Sequence, residues 1–143
     1  MGRLLAIDYG TKRTGIAVTD PLRIIPTGLA TVRTFMLLDY LSQYFEKERV
    51  DCVIVGLPKQ MNNELSKNAD HIYPFVKQFK IRFPDIPVEF YDERFTSVIA
   101  QKSMIENGMK KKDRQNKAII DEISATIILQ GYMESRDYKN KNL

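Results

Sequence analysis

The chain has 143 residues, a length that suits one domain with a sizeable core. Its hydrophobic and charged fractions, 43% and 28%, are those of an ordinary globular protein, and no apolar run approaches the roughly 18 residues of a membrane span. The N-terminus also lacks the pattern of a signal peptide, so we expect a cytoplasmic protein in which residues 1–143 form a single domain. The net charge of +4 is unevenly distributed, because residues 110–117 (KKKDRQNK) alone carry five cations and one anion.

The first half of the chain predicts three strands followed by a helix. The runs RLLAIDYG and RTGIAVTD, separated by TK, and the later run IIPTGLATV are typical of an antiparallel meander. In TFMLLDYLSQYFEKERV, apolar residues recur at the spacing of one helix face, at Phe35, Leu38, Leu41 and Phe45. Thr34 precedes this pattern and is expected to cap the helix.

The second half alternates strands and helices, which indicates an α/β fold. DCVIVGLP predicts a buried strand, residues 64–83 predict a helix that buries Ile72, Val76 and Phe79, and IPVEFYDER predicts a fifth strand. A short helix, SVIAQKSMIENG, and a strongly apolar final helix, KAIIDEISATIILQGYM, complete the chain. Strands joined through helices are parallel with right-handed crossovers, so we expect a five-stranded mixed sheet of order 3-2-1-4-5 flanked by helices.

Acidic residues follow two of the predicted parallel strands. Asp8 ends the first strand and Asp92 and Glu93 end the fifth, while Gly56, Leu57 and Pro58 end the fourth. The carboxyl ends of parallel strands share one edge of an open α/β sheet, and ligands bind at that edge. The sequence therefore predicts that the segments around Asp8, Leu57 and Glu93 converge.

Asp121 adds a third acid from the final helix. Its neighbours at helical spacing are small or apolar, as expected for a face packed on the sheet, so its carboxylate needs a bound cation or a tertiary partner. Asp8, Glu93 and Asp121 together form an oxygen-ligand set for Mg²⁺ or Mn²⁺. Such clusters serve phosphodiester hydrolysis, in which one metal activates water and another stabilises the leaving oxygen.

Each acid also has a purely structural interpretation. Asp8 could cap a turn, Glu93 could pair with Arg94, and Asp121 could be the N-cap of the final helix. The basic segment 110–117 could be a solvated loop rather than a phosphate contact. His71 has no ligand partners at metal spacing and is expected on a helix surface, while Phe90, Tyr91 and Phe95 are expected in the core rather than stacked on bases. Cys52 is expected to pack as a small apolar side chain.

Four segments in this order carry a family resemblance: DYGTKRTGIAVTD, VGLP, DERFTS and DEISATIILQGYM. They resemble the YqgF family, which comprises Holliday-junction-resolvase-like proteins with the ribonuclease H-like fold that are described as pre-16S rRNA nucleases. The resemblance covers nearly the whole chain. It implies a metal-dependent endonuclease that trims the 5′ end of precursor 16S rRNA in bacteria.

The resemblance also implies roles for individual residues. Asp8, Glu93 and Asp121 correspond to the family's catalytic, metal-binding acids, and Gly10, Lys12, Arg13, Arg94 and Thr96 to the substrate edge. We expect Lys110, Lys111, Lys112 and Arg114 to contact substrate phosphates. Two departures stand out: Asn62 and Asn63 replace the family's frequent Asp-Gly pair, and Ser124 occupies the place of a further acid found in junction resolvases. Glu122 cannot substitute, because adjacent helical residues point about 100° apart.

Other functions remain open at this level. A Holliday junction resolvase acting on branched DNA would use the same acids but needs two symmetry-related sites, and the sequence gives no oligomeric state, monomer or homodimer. A non-catalytic nucleic-acid-binding protein or transcription accessory factor would not need three acids. IDYGTKRTGIAV also resembles the phosphate-binding turn of actin-like ATPases and sugar kinases, but those proteins need two such domains.

Overall fold

The computed structural model describes residues 2–57, 69–92 and 117–135. Its strands and helices follow the predicted order. They are β1 (Arg3–Asp8), β2 (Arg13–Thr19), β3 (Pro26–Arg33), a 3₁₀ turn (Thr34–Met36), α1 (Leu37–Lys47), β4 (Val50–Leu57), α2 (Ala69–Arg82), β5 (Val88–Asp92) and α3 (Lys117–Glu134). The short helix predicted within SVIAQKSMIENG falls outside the described residues.

The five strands form one mixed sheet of order β3-β2-β1-β4-β5, which confirms the predicted topology. β1 pairs with β2 in antiparallel register and with β4 in parallel register, so it is the central strand. β5 adds to β4 in parallel. Helices cover both faces of β1, which explains why its sequence is a continuous apolar run rather than an alternating one.

A hydrophobic core lies on the face of the sheet that α1 and α2 cover. Side chains of β1 and β2, such as Leu5, Ile7 and Ile16, pack there against both helices. The residues that α2 buries are Ile72, Phe75, Val76 and Phe79, which includes all three that the helical spacing predicted.

A second core lies on the opposite face, under α3. Leu4 and Ala6 of β1 contact Ala125, Ile128 and Leu129 of the helix. Tyr91 of β5 is buried in this core, as predicted, and the half-buried Cys52 packs against it. Phe90 lies on the other face and is 39% exposed, so its prediction as a core residue is wrong. Its ring contacts that of Tyr73 at 5.6 Å and an angle of 60°. In residues 2–57, 69–92 and 117–135, no helix combines the length and apolar character needed to cross a membrane.

The start of α1 differs from its prediction. Phe35 is 85% exposed, and Leu37 is buried instead. The chain enters the helix through a 3₁₀ turn, which has 3.0 residues per turn instead of 3.6, so the buried face shifts in phase. Thr34 does not cap the helix, because its hydroxyl bonds to the β1–β2 turn.

Candidate nuclease site

The three parallel strands end at one edge of the sheet, as predicted. Ile7 lies beside Val55 and Leu57 lies beside Asp92 in the strand register. The last residues of β1, β4 and β5 therefore lie within one residue of the same level. Asp8 and Asp92 are half-buried at this edge.

Asp8 belongs to the face of the sheet that α3 covers. Leu4 and Ala6 pack in the core under α3, and side chains alternate between faces along a strand. Asp8 continues this series by two residues. Its carboxylate therefore lies on the side of the sheet from which Asp121 approaches.

A glycine brings Asp121 close to the strand pair that carries Asp8. Gly15 of β2 is the register partner of Asp8, and a Cβ added at Gly15 would collide with the backbone carbonyl of Asp121. Only a residue without a side chain permits this approach of helix to sheet. Gly15 thus fixes where α3 crosses the edge, and it places Asp8 and Asp121 next to each other.

Asp121 has a tertiary partner, which was one of the two possibilities that its sequence context predicted. The Nε atom of Arg13 donates a hydrogen bond to Oδ2 of Asp121 at 2.9 Å. Both side chains are partly exposed, at 35% and 22%. Asp121 is the fifth residue of α3, so the interpretation of Asp121 as an N-cap is wrong.

The turn between β1 and β2 is held by Thr34. The hydroxyl of Thr34 donates to the carbonyl of Gly10 at 2.6 Å and lies 2.9 Å from the hydroxyl of Thr14. The backbone N–H of Thr34 donates to the carbonyl of Lys12. A Cβ added at Gly10 would collide with the carbonyl of Arg13, so this turn also depends on a missing side chain. Lys12 is exposed at the tip of the turn.

Five of the predicted site residues therefore meet at this edge. They are Asp8, Gly10, Lys12, Arg13 and Asp121. The others lie outside the described residues: Glu93, Arg94, Thr96, Lys110, Lys111, Lys112 and Arg114. Within the described part of the chain no three His, Cys, Asp or Glu side chains form a metal-binding group. This does not test the predicted three-acid set, because its third member is Glu93.

Two features of the edge were not predicted. One is the Arg13–Asp121 ion pair, whose members are 108 residues apart and carry no sequence signal of their contact. The other is a pocket on the face of the sheet that α1 and α2 cover, and its lining begins with Tyr9, the residue after Asp8. Tyr9 lines this pocket, and burial raises the pKa of its phenol above the ordinary value.

A family model named RuvX, described as Holliday junction resolvase, matches residues 2–135. The chain belongs to the RuvX family. This membership confirms the resemblance that the four motifs indicated. The matched range includes the strands, the turn and the helix that form the edge.

Curated relatives extend over nearly the whole chain. A protein of Phocaeicola vulgatus is 64% identical over 138 residues, covering 96% of this chain and 99% of its own length. A protein of Bacteroides thetaiotaomicron is 61% identical over 138 residues, covering 96% of this chain and 100% of its own. Both are named "Putative pre-16S rRNA nuclease".

A solved structure shares the fold. Thermus thermophilus RuvC in complex with a Holliday junction substrate superposes with a TM-score of 0.57, covering 92% of this chain and 94% of RuvC. The sequence identity is 16%, so the likeness concerns the fold. It confirms the ribonuclease H-like architecture that the motifs implied.

Proposed function

We propose that this chain is a divalent-metal-dependent endonuclease, formed by one domain over residues 1–143, that processes the 5′ end of precursor 16S rRNA. The observation that carries the proposal is the approach of Asp121 to the end of β1, which brings two carboxylates from distant segments to one sheet edge. The names of the relatives supply the RNA substrate. Precursor rRNA is processed in the cytoplasm of bacteria, so the proposal implies a cytoplasmic protein.

The donor chemistry of the edge fits a hard divalent cation. Asp8 and Asp121 offer carboxylate oxygens, which Mg²⁺ and Mn²⁺ prefer as ligands, and Glu93 follows β5 directly in sequence. In the proposal these three acids hold the metal. When bound, the metal supplies activation of a water molecule and stabilisation of the leaving oxygen.

The other predicted residues would position the RNA. Gly10 lets the turn close tightly, because its missing Cβ leaves room for the carbonyl of Arg13, and this turn carries Lys12 at its tip. Lys12 is exposed beside the acids and supplies a cation for the phosphate backbone. We assign Arg94 and Thr96 to the same substrate edge, and Lys110, Lys111, Lys112 and Arg114 to more distant phosphates.

Cleavage assays with three substrates and three metal conditions test the proposal. Purified protein is incubated with precursor 16S rRNA, an unrelated single-stranded RNA and a four-way DNA junction, each in Mg²⁺, Mn²⁺ or EDTA. We expect cleavage of the rRNA precursor in metal and none in EDTA. Cleavage of the junction alone would favour the Holliday junction resolvase, and binding without cleavage of any substrate would favour the accessory protein.

Single variants test the acids. Asp8→Asn, Glu93→Gln and Asp121→Asn should each lower cleavage by more than about 100-fold, because each removes a metal ligand. Asp39→Asn is the matched control, since Asp39 is an exposed acid on α1 that pairs with Arg82. Full activity in any of the three variants would remove that residue from the metal site.

A further inference from the structure

A pocket of about 390 Å³ lies at the acid edge, on the face of the sheet opposite α3. Tyr9 and Thr11 line it from the turn that follows Asp8, Phe35 from the 3₁₀ turn, and His71 and Gln78 from α2. Tyr9 and Phe75 also pack against the core under α1 and α2, which places the pocket on that face. The pocket therefore adjoins the proposed cleavage site without sharing its acids.

The walls of the pocket are aromatic and polar. The rings of Tyr9 and Phe75 pack 5.0 Å apart at an angle of 30°. Phe35 lines the pocket while 85% exposed, and the imidazole of His71 is also exposed. Single exposed apolar side chains are common on protein surfaces, but here an exposed aromatic ring borders a cavity that also contains hydrogen-bonding groups.

We propose that this pocket binds an unpaired nucleobase of the RNA substrate, with Phe35 and His71 as the stacking surfaces and Thr11 and Gln78 as partners for the base edge. The proposal rests on the proposed nuclease function and adds to it a requirement for a single-stranded segment next to the cleaved bond. A base in a duplex cannot enter such a pocket, because its faces and its pairing edge are occupied.

The chemistry of the pocket favours a base over other small ligands. Aromatic rings of Phe, Tyr and His are the usual platforms on which proteins stack single-stranded bases. None of the nine described residues that line the pocket is Asp or Glu, so the lining does not repel a polyanion. The exposed Lys12 follows Thr11 directly and can contact the phosphate of the nucleotide.

The pocket is also structurally continuous with the acid edge. Only two residues, Tyr9 and Gly10, separate Asp8 from Thr11. Thr34 lines the pocket, and its hydroxyl holds the carbonyl of Gly10. An RNA strand that crosses the β1–β2 turn can therefore present a phosphate to the acids and a neighbouring base to Phe35.

Phe35 variants separate stacking from general apolar contact. In EDTA, where cleavage is suppressed, affinity is measured for a single-stranded RNA and for a blunt RNA duplex of the same sequence. Phe35→Ala and Phe35→Leu should weaken single-strand binding at least about 5-fold, the lower end of one stacked base, while Phe35→Tyr retains it. Duplex binding should change less than about 2-fold. Ile81→Ala, which removes an exposed apolar side chain of α2 outside the pocket, is the control.

Two spectroscopic readouts locate the base. His71 is the chain's one histidine, so in protein without a tag the imidazole Hε1 gives one assignable NMR signal, which single-stranded RNA should shift and duplex RNA should not. An RNA with 2-aminopurine placed at successive positions should show quenching at one position, and Phe35→Ala should remove it. Equal effects of single-stranded and duplex RNA, or unchanged quenching in Phe35→Ala, would overturn the proposal.

The experiment also distinguishes this proposal from the nuclease proposal. Asp8→Asn should abolish cleavage and retain the 2-aminopurine quenching, because the acid does not line the pocket. Quenching without cleavage by the wild type would reject the nuclease function and keep the base site. Cleavage without Phe35-dependent quenching would reject the base site and keep the nuclease function.

Discussion

Arg13 and a divalent cation would compete for the same carboxylate. The guanidinium of Arg13 holds Oδ2 of Asp121, one of the two oxygens that this carboxylate can offer to the proposed metal. In the metal-free protein, the positive charge of Arg13 offsets repulsion between the carboxylates of Asp8 and Asp121. A metal that binds Asp121 then has to weaken or break the Arg13–Asp121 ion pair, and this cost lowers the net affinity for the metal.

Substitution of Arg13 tests this competition. In EDTA, Arg13→Gln should lower the free energy of unfolding by about 1 kcal/mol or less, as for a partly exposed pair. Added Mn²⁺ should then raise the melting temperature more in Arg13→Gln than in the wild type, with Arg13→Lys between them. Thermal melts with and without metal measure both effects. Arg82→Gln, which breaks an exposed pair elsewhere, should respond to Mn²⁺ like the wild type.

An equal response to Mn²⁺ in Arg13→Gln and the wild type would show that the arginine does not compete with the metal. The positions of Asp8 and Asp121 at the edge were predictable, since Asp8 ends an apolar strand and Asp121 lies among small helical neighbours. The sequence did not predict that Arg13 is the partner of Asp121, because a contact between segments 108 residues apart leaves no periodic pattern in the sequence.

Glycines on β2 and β3 determine how closely helix α3 packs on the sheet. A Cβ at Gly15 would collide with the backbone of Asp121, whereas a Cβ at Gly28 would lie 3.2 Å from the Cβ of Glu122. The first contact involves a rigid backbone and the second a side chain over β3. Glu122 therefore approaches β3 rather than the strand pair of Asp8, in agreement with the prediction that it cannot act as a further acid.

The two glycines form a matched pair of variants. Gly15→Ala should destabilise the protein by about 3 kcal/mol or more and reduce cleavage, because α3 has to move away from the site. Gly28→Ala should cost about 1 kcal/mol and leave most of the activity, since a shift of α3 by a few tenths of an ångström at Glu122 relieves the contact. Unfolding in denaturant and cleavage rates measure the difference. Similar costs for both variants would contradict the role assigned to Gly15.

The elements of the fold were largely predictable, and the errors have a local cause. The order of strands followed from two short connections and from the rule that crossovers are right-handed. The sequence pattern did not predict which residues α1 buries at its start, since the 3₁₀ turn rotates Phe35 outward. The hydroxyl of Thr34 finds its partner Gly10 24 residues away, a contact that helix-capping rules do not anticipate.

At the scale of the molecule, charge is expected to govern RNA binding. Residues 110–117 and 136–143 carry +4 and +2, so the rest of the chain is acidic by two charges. Replacing Lys110, Lys111 and Lys112 by Ala should weaken binding to all RNA sequences. The slope of log affinity against log salt should fall by about 0.7 per lost phosphate contact on single-stranded RNA. An unchanged slope would mean that these lysines contact only solvent.

The long sequence separation between Arg13 and Asp121 also implies an order of assembly during folding. The β1–β2–β3 meander joins residues close in sequence, such as Ile7 with Ile16 and Ile16 with Ala30, whereas α3 closes a separation of 108 residues. Contacts of long separation form later in folding, because the entropy of closing the loop has to be overcome first. In refolding experiments, Mn²⁺ binding should therefore recover more slowly than the circular dichroism of the sheet. Simultaneous recovery would contradict this order, in which the core under α1 and α2 forms before α3 closes the second core and completes the site.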